Sequence, residues 1–327
     1  MPPDNINAMI EPFDKLTVLV IGDFMLDRFI YGEVSRISPE APIPLIDISR
    51  EVLQLGGAAN AVKNISSLGG KTIAVGVVGD DWFGKRLTCL LEDAGINVDG
   101  IIDCKDRPTT VKTRLIAGNQ QLIRFDRENR DPIDADLVDV LINFVEQKID
   151  SVDVILISDY NKGVITRVLL ERLVSLNKKY NKPMVVYPKV DPSFNYKGVT
   201  LLLTNQDSAC SVTGIKQINE TSLRNMGHWL LSHLEPQNVL ILHGRKGMSH
   251  FDEKGNVTQI PNTLKESRNI TGTIDTVAGL ISLSLPVCKS EIHTTLHLAT
   301  VGMTIVSRKA EDRTVTRQEI IQTLKEI

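Results

Sequence analysis

Six short apolar runs, each too brief for a helix of its own, alternate with helix-spaced segments along the chain. They are 16–22 (LTVLVIG), 71–78 (KTIAVGVV), 152–158 (VDVILIS), 183–187 (PMVVY), 199–203 (VTLLL) and 238–243 (NVLILH). The first is continuous and β-branched and ends in Gly22-Asp23, the signature of a strand buried on both faces of a parallel sheet. Residues 57–69, 80–95, 134–149 and 165–180 carry helical spacing, and from Asp275 onward the pattern is mostly helical. This repeated βα order predicts an α/β fold with a doubly wound, mostly parallel sheet flanked by helices.

Two segments break the pattern. Residues 43–48 (IPLIDI) and 109–126 (TTVKTRLIAGNQQLIRFD) alternate as half-exposed antiparallel strands do, with Gly118-Asn119 placed for a hairpin turn. They do not suit a doubly buried core. The expectation is a small projecting β-sheet, a lid, drawn from about 24–54 and 108–127. With no repeat, low-complexity stretch or linker, 1–327 reads as a single domain carrying this appendage.

The composition excludes several classes of function. A net charge of −3 with 24% charged residues leaves no electrostatic footprint for nucleic acid. The four cysteines, Cys89, Cys104, Cys210 and Cys288, form no C-x-x-C pair and suit a reducing compartment better than a disulfide frame or zinc site. The N-terminal MPPDNINAMIEPFDKL has no apolar core of a signal peptide, and no stretch approaches the roughly 20 apolar residues of a membrane span. A soluble, cytoplasmic protein that avoids nucleic acid and membranes is expected.

Four groups of residues could carry chemistry. Gly56 and Gly57, followed by Asn60, open a helix directly after a strand, where paired glycines admit a ligand to the backbone and a helix N-terminus favours anions and hydroxyls. Alone, such a turn is more often only a turn. Asp23 and Asp27 follow the first strand at its C-terminal end, where open α/β sheets bind ligands, and could accept bonds from sugar hydroxyls or merely cap a turn. Lys112 and Arg114 share a strand face that Arg124 can join across the hairpin. Three cations suit a phosphate, although a solvated edge strand would look the same. In 270–276 (ITGTIDT), Gly272 with Thr273 and Ile274 could form an anion-binding nest. Asp275 follows where a base could take a hydroxyl proton, and ordinary capping is the plainer alternative.

Together these pieces resemble a known family. VLVIGDFMLDRFIYGEVSRISPEAPIPLIDI, LGGAANAVKNISSLGG and TVKTRLIAGNQQLIRFDRE are similar to segments of the ribokinase/PfkB carbohydrate kinases. The runs from Arg36 to Pro42 and from Asn119 to Arg124 are more specific. They resemble the D-glycero-β-D-manno-heptose 7-phosphate kinases of ADP-heptose and lipopolysaccharide core synthesis. The resemblance implies ATP-dependent phosphorylation of a sugar phosphate at its anomeric hydroxyl, with Mg2+, on a ribokinase-like core whose lid clasps that of a second copy in a homodimer. It implies Asp275 as catalytic base. It implies sugar-phosphate contacts from Asp23, Asp27, Gly56, Gly57, Asn60, Lys112, Arg114, Gln120 and Arg124, with Asp159 and Lys162 of the S-D-Y-x-K-G stretch. On the nucleotide and magnesium side it implies Lys189, Asn205, Asp207 and Gly247. Bifunctional relatives add a nucleotidyltransferase, which a chain of this length is expected to leave to a separate protein.

Departures cluster on the nucleotide side. The family's G-A-G-D is here Gly272-Thr273-Ile274-Asp275, so a β-branched residue replaces a glycine. If that position needs φ > 0, isoleucine is strained by roughly 1–2 kcal/mol and crowds the anion hole. A glutamate three residues beyond the family's asparagine is Ser208, with Asp207 one residue out of register; V-D-P-K is Val186-Tyr187-Pro188-Lys189; T-R-S-E-x-G is Leu242 to Gly247 with Arg245 for the glutamate. A relative that binds the sugar phosphate but transfers poorly, and a kinase for another sugar, are the alternatives.

Overall fold

A computed structural model describes residues 9–118, 120–188, 196–216, 219–261, 273–288, 292–309 and 314–326. The strands are β1 (Thr17–Gly22), β2 (Phe24–Ile37), β3 (Pro44–Gly57), β4 (Lys71–Gly79), β5 (Asn97–Cys104), β6 (Thr110–Ala117), β7 (Gln120–Arg127), β8 (Val154–Ser158), β9 (Met184–Tyr187), β10 (Leu201–Asn205), β11 (Asn238–Leu242), β12 (Met248–Asp252) and β13 (Val257–Ile260). The α-helices are α1 (Ala58–Ser67), α2 (Trp82–Asp93), α3 (Ala135–Lys148), α4 (Arg167–Tyr180), α5 (Gln206–Thr213), α6 (Glu220–Leu234), α7 (Thr273–Cys288), α8 (Ile292–Arg308) and α9 (Arg317–Glu326).

Nine strands form one sheet in the order β13-β12-β11-β10-β9-β8-β1-β4-β5. From β11 to β5 every neighbouring pair is parallel; only β11–β12 and β12–β13 are antiparallel. Side-chain alternation divides the core between two faces. Val18, Val20, Val154 and Leu156 pack toward α1, α7 and α8, whereas Leu19, Ile21, Ile155 and Ile157 pack toward α3, α4 and α6. Both faces are covered, which is why these strands read as continuous apolar runs.

The lid is the second sheet, in the order β3-β2-β6-β7. Its β2 and β3 run 14 residues each and pair antiparallel, so the polar stretch around Arg28 and Glu33 is strand as well. Sequence patterning also missed β5 and the β12–β13 hairpin. In β5 (NVDGIIDC) acids interrupt the apolar run, and the hairpin lies at a sheet edge where one apolar face suffices. Among the described residues no helix is long and apolar enough to cross a membrane. None of the four cysteines is joined in a disulfide.

Order reverses where β1 separates β8 from β4, and α/β sheets bind ligands outside the carboxyl ends of such strands. Gly22 ends β1 beside Ser158 of β8, Tyr187 ends the adjoining β9, and the first turn of α7 reaches the same end of the sheet.

Candidate active site

Asp275 is the centre of this arrangement. It lies in the first turn of α7, a helix apolar nearly all round and wedged between α1 and α8. Its side chain is 4% exposed, yet both oxygens are partnered. Oδ2 accepts from Asn60 Nδ2 at 2.6 Å and Oδ1 from the Tyr160 hydroxyl at 2.5 Å. A polar seam locks the two helices together: Thr276 donates to Asn64 Oδ1 at 2.9 Å, and Asn64 Nδ2 donates to the Asn60 carbonyl at 2.9 Å. Burial pushes the Asp275 carboxyl up from 3.8 to about 6. The Tyr160 and Asn60 bonds and the Lys112 charge oppose that rise, and Asp27 adds to it. A carboxylate poised near 6 is ionised at neutral pH and still basic enough to take a proton.

The glycine turn meets this carboxylate through Asn60. Gly57 precedes α1 with φ 57° and ψ −134°, a conformation that a side chain resists, and a Cβ there would lie 2.6 Å from the Asp23 carbonyl. A Cβ on Gly56 would lie 2.7 Å from Asp27 Oδ2, so the paired glycines leave the space that Asp27 uses.

The lid lays out its charges by strand register. Asp27, Lys112 and Asp126 form one row across β2, β6 and β7; Phe29, Arg114 and Arg124 form the next row on the same face. Lys112, Arg114 and Arg124 therefore do share a face. Each is already near a carboxylate: Arg114 pairs with Asp27 at 2.5 Å, Arg124 with Asp126, and Lys112 faces both acids. Burial pushes the Lys112 ammonium down from its ordinary value, with Asp27 countering. Gln120 is exposed at the far, turn end of β7, opposite Ala117.

Asp23 has a different place from the one its position suggests. It is 1% exposed, and its carboxylate accepts the backbone N–H of Tyr160 at 2.8 Å, Lys162 at 3.0 Å and Val164 at 3.1 Å. These bonds commit it to shaping the loop after β8 rather than to a sugar hydroxyl. Lys162 is likewise committed, its Nζ lying 2.6 Å from Glu128 Oε2 with both side chains nearly buried. Asp159 is buried and its Oδ1 accepts from the Asn161 N–H.

On the nucleotide side, Asn205 caps α5 by accepting from the Ser208 N–H at 2.8 Å, and Asp207 is exposed in that helix's first turn. Gly247 closes the 3-10 turn Gly244–Lys246 with φ 100°. Next to it His243 bonds Ser249, and burial drops its pKa to about 4, which keeps it neutral. Lys189, Gly272 and the Asn119 of the hairpin turn lie outside the described residues. Ile274 is helical, in the first turn of α7, and half-buried against the core. The only non-glycine residues described with positive φ are Asn161, Asn181 and Glu235, so the strain expected of Ile274 does not arise. The Thr273 hydroxyl beside it is buried with no partner among the described residues. A helix N-terminus carrying an unused buried donor suits an anion.

Sequence reasoning missed Tyr160 and Tyr187. Tyr160 stood inside the quoted S-D-Y-x-K-G stretch, and only the fold brings its hydroxyl to Asp275. Tyr187 packs edge-on against it, with ring centroids 5.5 Å apart.

Comparison with known proteins bears on the family and the fold. A family model described as pfkB family carbohydrate kinase matches residues 15–315. The Bifunctional protein HldE of Syntrophotalea carbinolica is 36% identical over 324 residues, covering 98% of this chain and 65% of that protein. That of Geobacter metallireducens is 36% identical over 321 residues with the same coverage. The chain thus spans about 65% of the length of these relatives. Arabidopsis thaliana ribokinase, solved in complex with ribose and ATP, matches with a TM-score of 0.74 at 17% identity, covering 95% of this chain and 99% of that one. Escherichia coli phosphofructokinase-2 in complex with potassium matches with a TM-score of 0.74 at 16% identity, covering 95% and 98%. These two likenesses establish the ribokinase-like fold. On the family model and the extent of the curated matches, the chain belongs to the pfkB family of carbohydrate kinases.

Proposed function

We propose that this chain transfers the γ-phosphoryl group of ATP to the anomeric hydroxyl of D-glycero-β-D-manno-heptose 7-phosphate, giving the 1,7-bisphosphate. The observation that carries the reading is the buried Asp275, held at the N-terminal turn of α7 within electrostatic reach of Asp27 and Lys112 of the lid. The SPEAP and NQQLIR runs, together with the two bifunctional relatives, support a heptose phosphate over other sugars.

Asp275 takes the proton of the anomeric hydroxyl. The freed oxygen attacks the γ-phosphorus while the bond from that phosphorus to the β–γ bridging oxygen breaks, and ADP leaves with the electron pair. Thr273, Ile274 and the helix N-terminus meet the transferring group, and positioning with charge stabilisation supplies most of the rate. Asn60 and Asp27 receive sugar hydroxyls; Lys112, Arg114 and Arg124 meet the 7-phosphate by exchanging their carboxylate partners for it. Among the described residues no three His, Cys, Asp or Glu side chains are grouped to hold a metal. Mg2+ in such sites rests largely on substrate phosphates and water, and Asn205 with the exposed Asp207 is a donor set of that sparse kind. When bound, the ion neutralises charge on the triphosphate.

The lid's other face supports a homodimer. Val34, Ile48, Ile123 and Phe125 project from it and are 48%, 57%, 53% and 51% exposed, and a second copy of the lid would cover them. A nucleotidyltransferase acting on the dephosphorylated product is the matching partner activity, and the reducing cytoplasm is the matching compartment.

The test is ADP release with saturating Mg·ATP and heptose 7-phosphate, against a panel of hexose phosphates and free sugars. Turnover highest on the heptose phosphate is expected and should fall by roughly 10²–10⁴ in Asp275→Asn. No turnover on any sugar at saturation refutes the reading. A sugar-phosphate binder with poor transfer is the second reading, favoured by the commitment of Asn205 to its helix cap. Calorimetric binding of the sugar phosphate without binding of an Mg·ATP analogue would select it.

A further inference from the structure

Asp275 is an unusual base in that neither of its oxygens is free. Asn60 occupies Oδ2, and Asn60 is fixed by the seam between α1 and α7. Tyr160 occupies Oδ1, and three separate elements hold its ring and backbone. Its backbone N–H is one of the three amides gathered by the buried Asp23. The next residue, Asn161, takes a left-handed conformation at φ 54°, and its N–H is held by Asp159. The Tyr187 ring meets the Tyr160 ring edge-on at 5.5 Å and 81°, and the Asp159 N–H donates to the Tyr187 carbonyl at 2.9 Å. The Lys112 ammonium lies 5.3 Å from the Tyr160 ring centroid, from the lid side. A hydroxyl placed this carefully on a catalytic oxygen does more than fill space.

We propose that Tyr160 is a positioning residue for the base: it fixes the Asp275 carboxylate through Oδ1 and favours its ionised form, and Tyr187 in turn fixes Tyr160. The inference rests on the reading of Asp275 as the base. Tyr160 itself stays a donor throughout, because burial and the neighbouring Asp275 charge hold its phenol well above the ordinary tyrosine value. The substrate hydroxyl must therefore approach a second lone pair of Asp275, with the Tyr160 bond setting the carboxylate plane. Among the described residues, few groups face Asp275. Asn60 from α1 and Tyr160 from the loop after β8 donate to it, Lys112 from β6 favours its charge, and Asp27 from β2 opposes it. Tyr187 from β9 faces it as a neutral phenol, with Asp159 beyond. Removing one of the two donors found among the described residues leaves burial less opposed, so the carboxyl must titrate at higher pH.

Tyr160→Phe keeps the ring and its packing and deletes the hydroxyl. The direct readout is a 13C-carboxyl NMR titration of Asp275, its resonance assigned by its loss in Asp275→Asn. The Asp275 midpoint should rise by about one pH unit in Tyr160→Phe, the scale of a bond to a charged acceptor. In the kinase assay, kcat at pH 6.5 should fall about threefold, the change in ionised fraction for a midpoint moved from about 6 to about 7, the deficit should narrow by pH 9, and KM for the sugar phosphate should stay within about twofold. Tyr187→Leu, which removes the edge contact, should shift the midpoint in the same direction by less, and Tyr187→Phe should leave it unmoved. An unchanged Asp275 midpoint in Tyr160→Phe, or a rate deficit equal at every pH, overturns the proposal. The NMR titration needs no turnover. A wild-type protein inactive on every sugar would count against the kinase reading, while the titration still decides whether Tyr160 controls Asp275.

Discussion

Replacing Asp275 by asparagine should separate what the carboxylate does for the reaction from what it costs the fold. In the folded chain, burial lifts this carboxyl from 3.8 to about 6. The unfolded chain ionises at the ordinary value, so between about pH 4 and pH 6 the folded state retains a proton that the unfolded state has released. A group raised in this way contributes stability that is fully present below the unfolded pKa and is lost as pH climbs through about 6. At about 1.4 kcal/mol per pH unit, the rise amounts to about 3 kcal/mol of destabilisation at neutral pH. Asparagine preserves the volume, cannot ionise, and still offers an oxygen to Tyr160. Its amide must then face Asn60, which forfeits one hydrogen bond, about 1 kcal/mol. The variant should be about 2 kcal/mol more stable than wild type at pH 7.5, and about 1 kcal/mol less stable near pH 4. Urea unfolding followed by fluorescence of Trp82 and Trp229 across that range measures the gap. Phosphoryl transfer should meanwhile fall by roughly 10²–10⁴, the usual contribution of a general base. A stability gap that does not change with pH, or a wild type that is the more stable at pH 7.5, would refute the reasoning.

Three further outcomes are expected. Asp23→Ala strands three buried N–H groups in the loop after β8 and should lower stability by at least about 3 kcal/mol in urea unfolding, with Asp23→Asn losing less; a change below about 0.5 kcal/mol would mean that the loop holds its shape without it. Ile274→Gly gives up apolar contact and adds the helix penalty of glycine, so stability should fall by about 2 kcal/mol with no gain in kcat beyond twofold. A rise of orders of magnitude would show that isoleucine does crowd the anion site. Phe125→Asp puts a charge on the lid's apolar face and should turn a dimer into a monomer in light scattering at micromolar concentration. A wild type already monomeric under those conditions, or a variant that remains dimeric, would rule out the lid interface.

Where strands are buried on both faces, the sequence carried the answer by itself. Val18, Val20, Leu19 and Ile21 are apolar without interruption because each face of β1 has its own core, and that pattern is legible without neighbours. The lid was legible for the opposite reason, since one solvated face makes strands alternate. The shared face of Lys112, Arg114 and Arg124 followed from period two and the hairpin turn, whereas the register of Lys112 with Asp27 came only with the parallel pairing of β2 and β6. β5 and the β12–β13 hairpin escaped because strands near a sheet edge need little apolar content.

The site divides along the same line. Asp275 and the Gly56-Gly57 turn were marked by local chemistry, a carboxylate after a glycine-containing stretch and a turn that excludes Cβ atoms. What Asp23 and Tyr160 do was not legible, because both roles depend on groups more than a hundred residues away in sequence. Asp23 is 137 residues from the first amide it binds, and Tyr160 is 115 residues from Asp275. An aspartate at a strand end looks the same whether it faces a sugar or three buried amides, and a tyrosine in a loop does not declare which carboxylate its hydroxyl will reach. Local residue patterning determined the fold class and singled out Asp275 as a candidate base, which the family resemblance favoured over ordinary capping. Only tertiary packing decided which polar groups were already satisfied within the protein and which remained to meet a ligand.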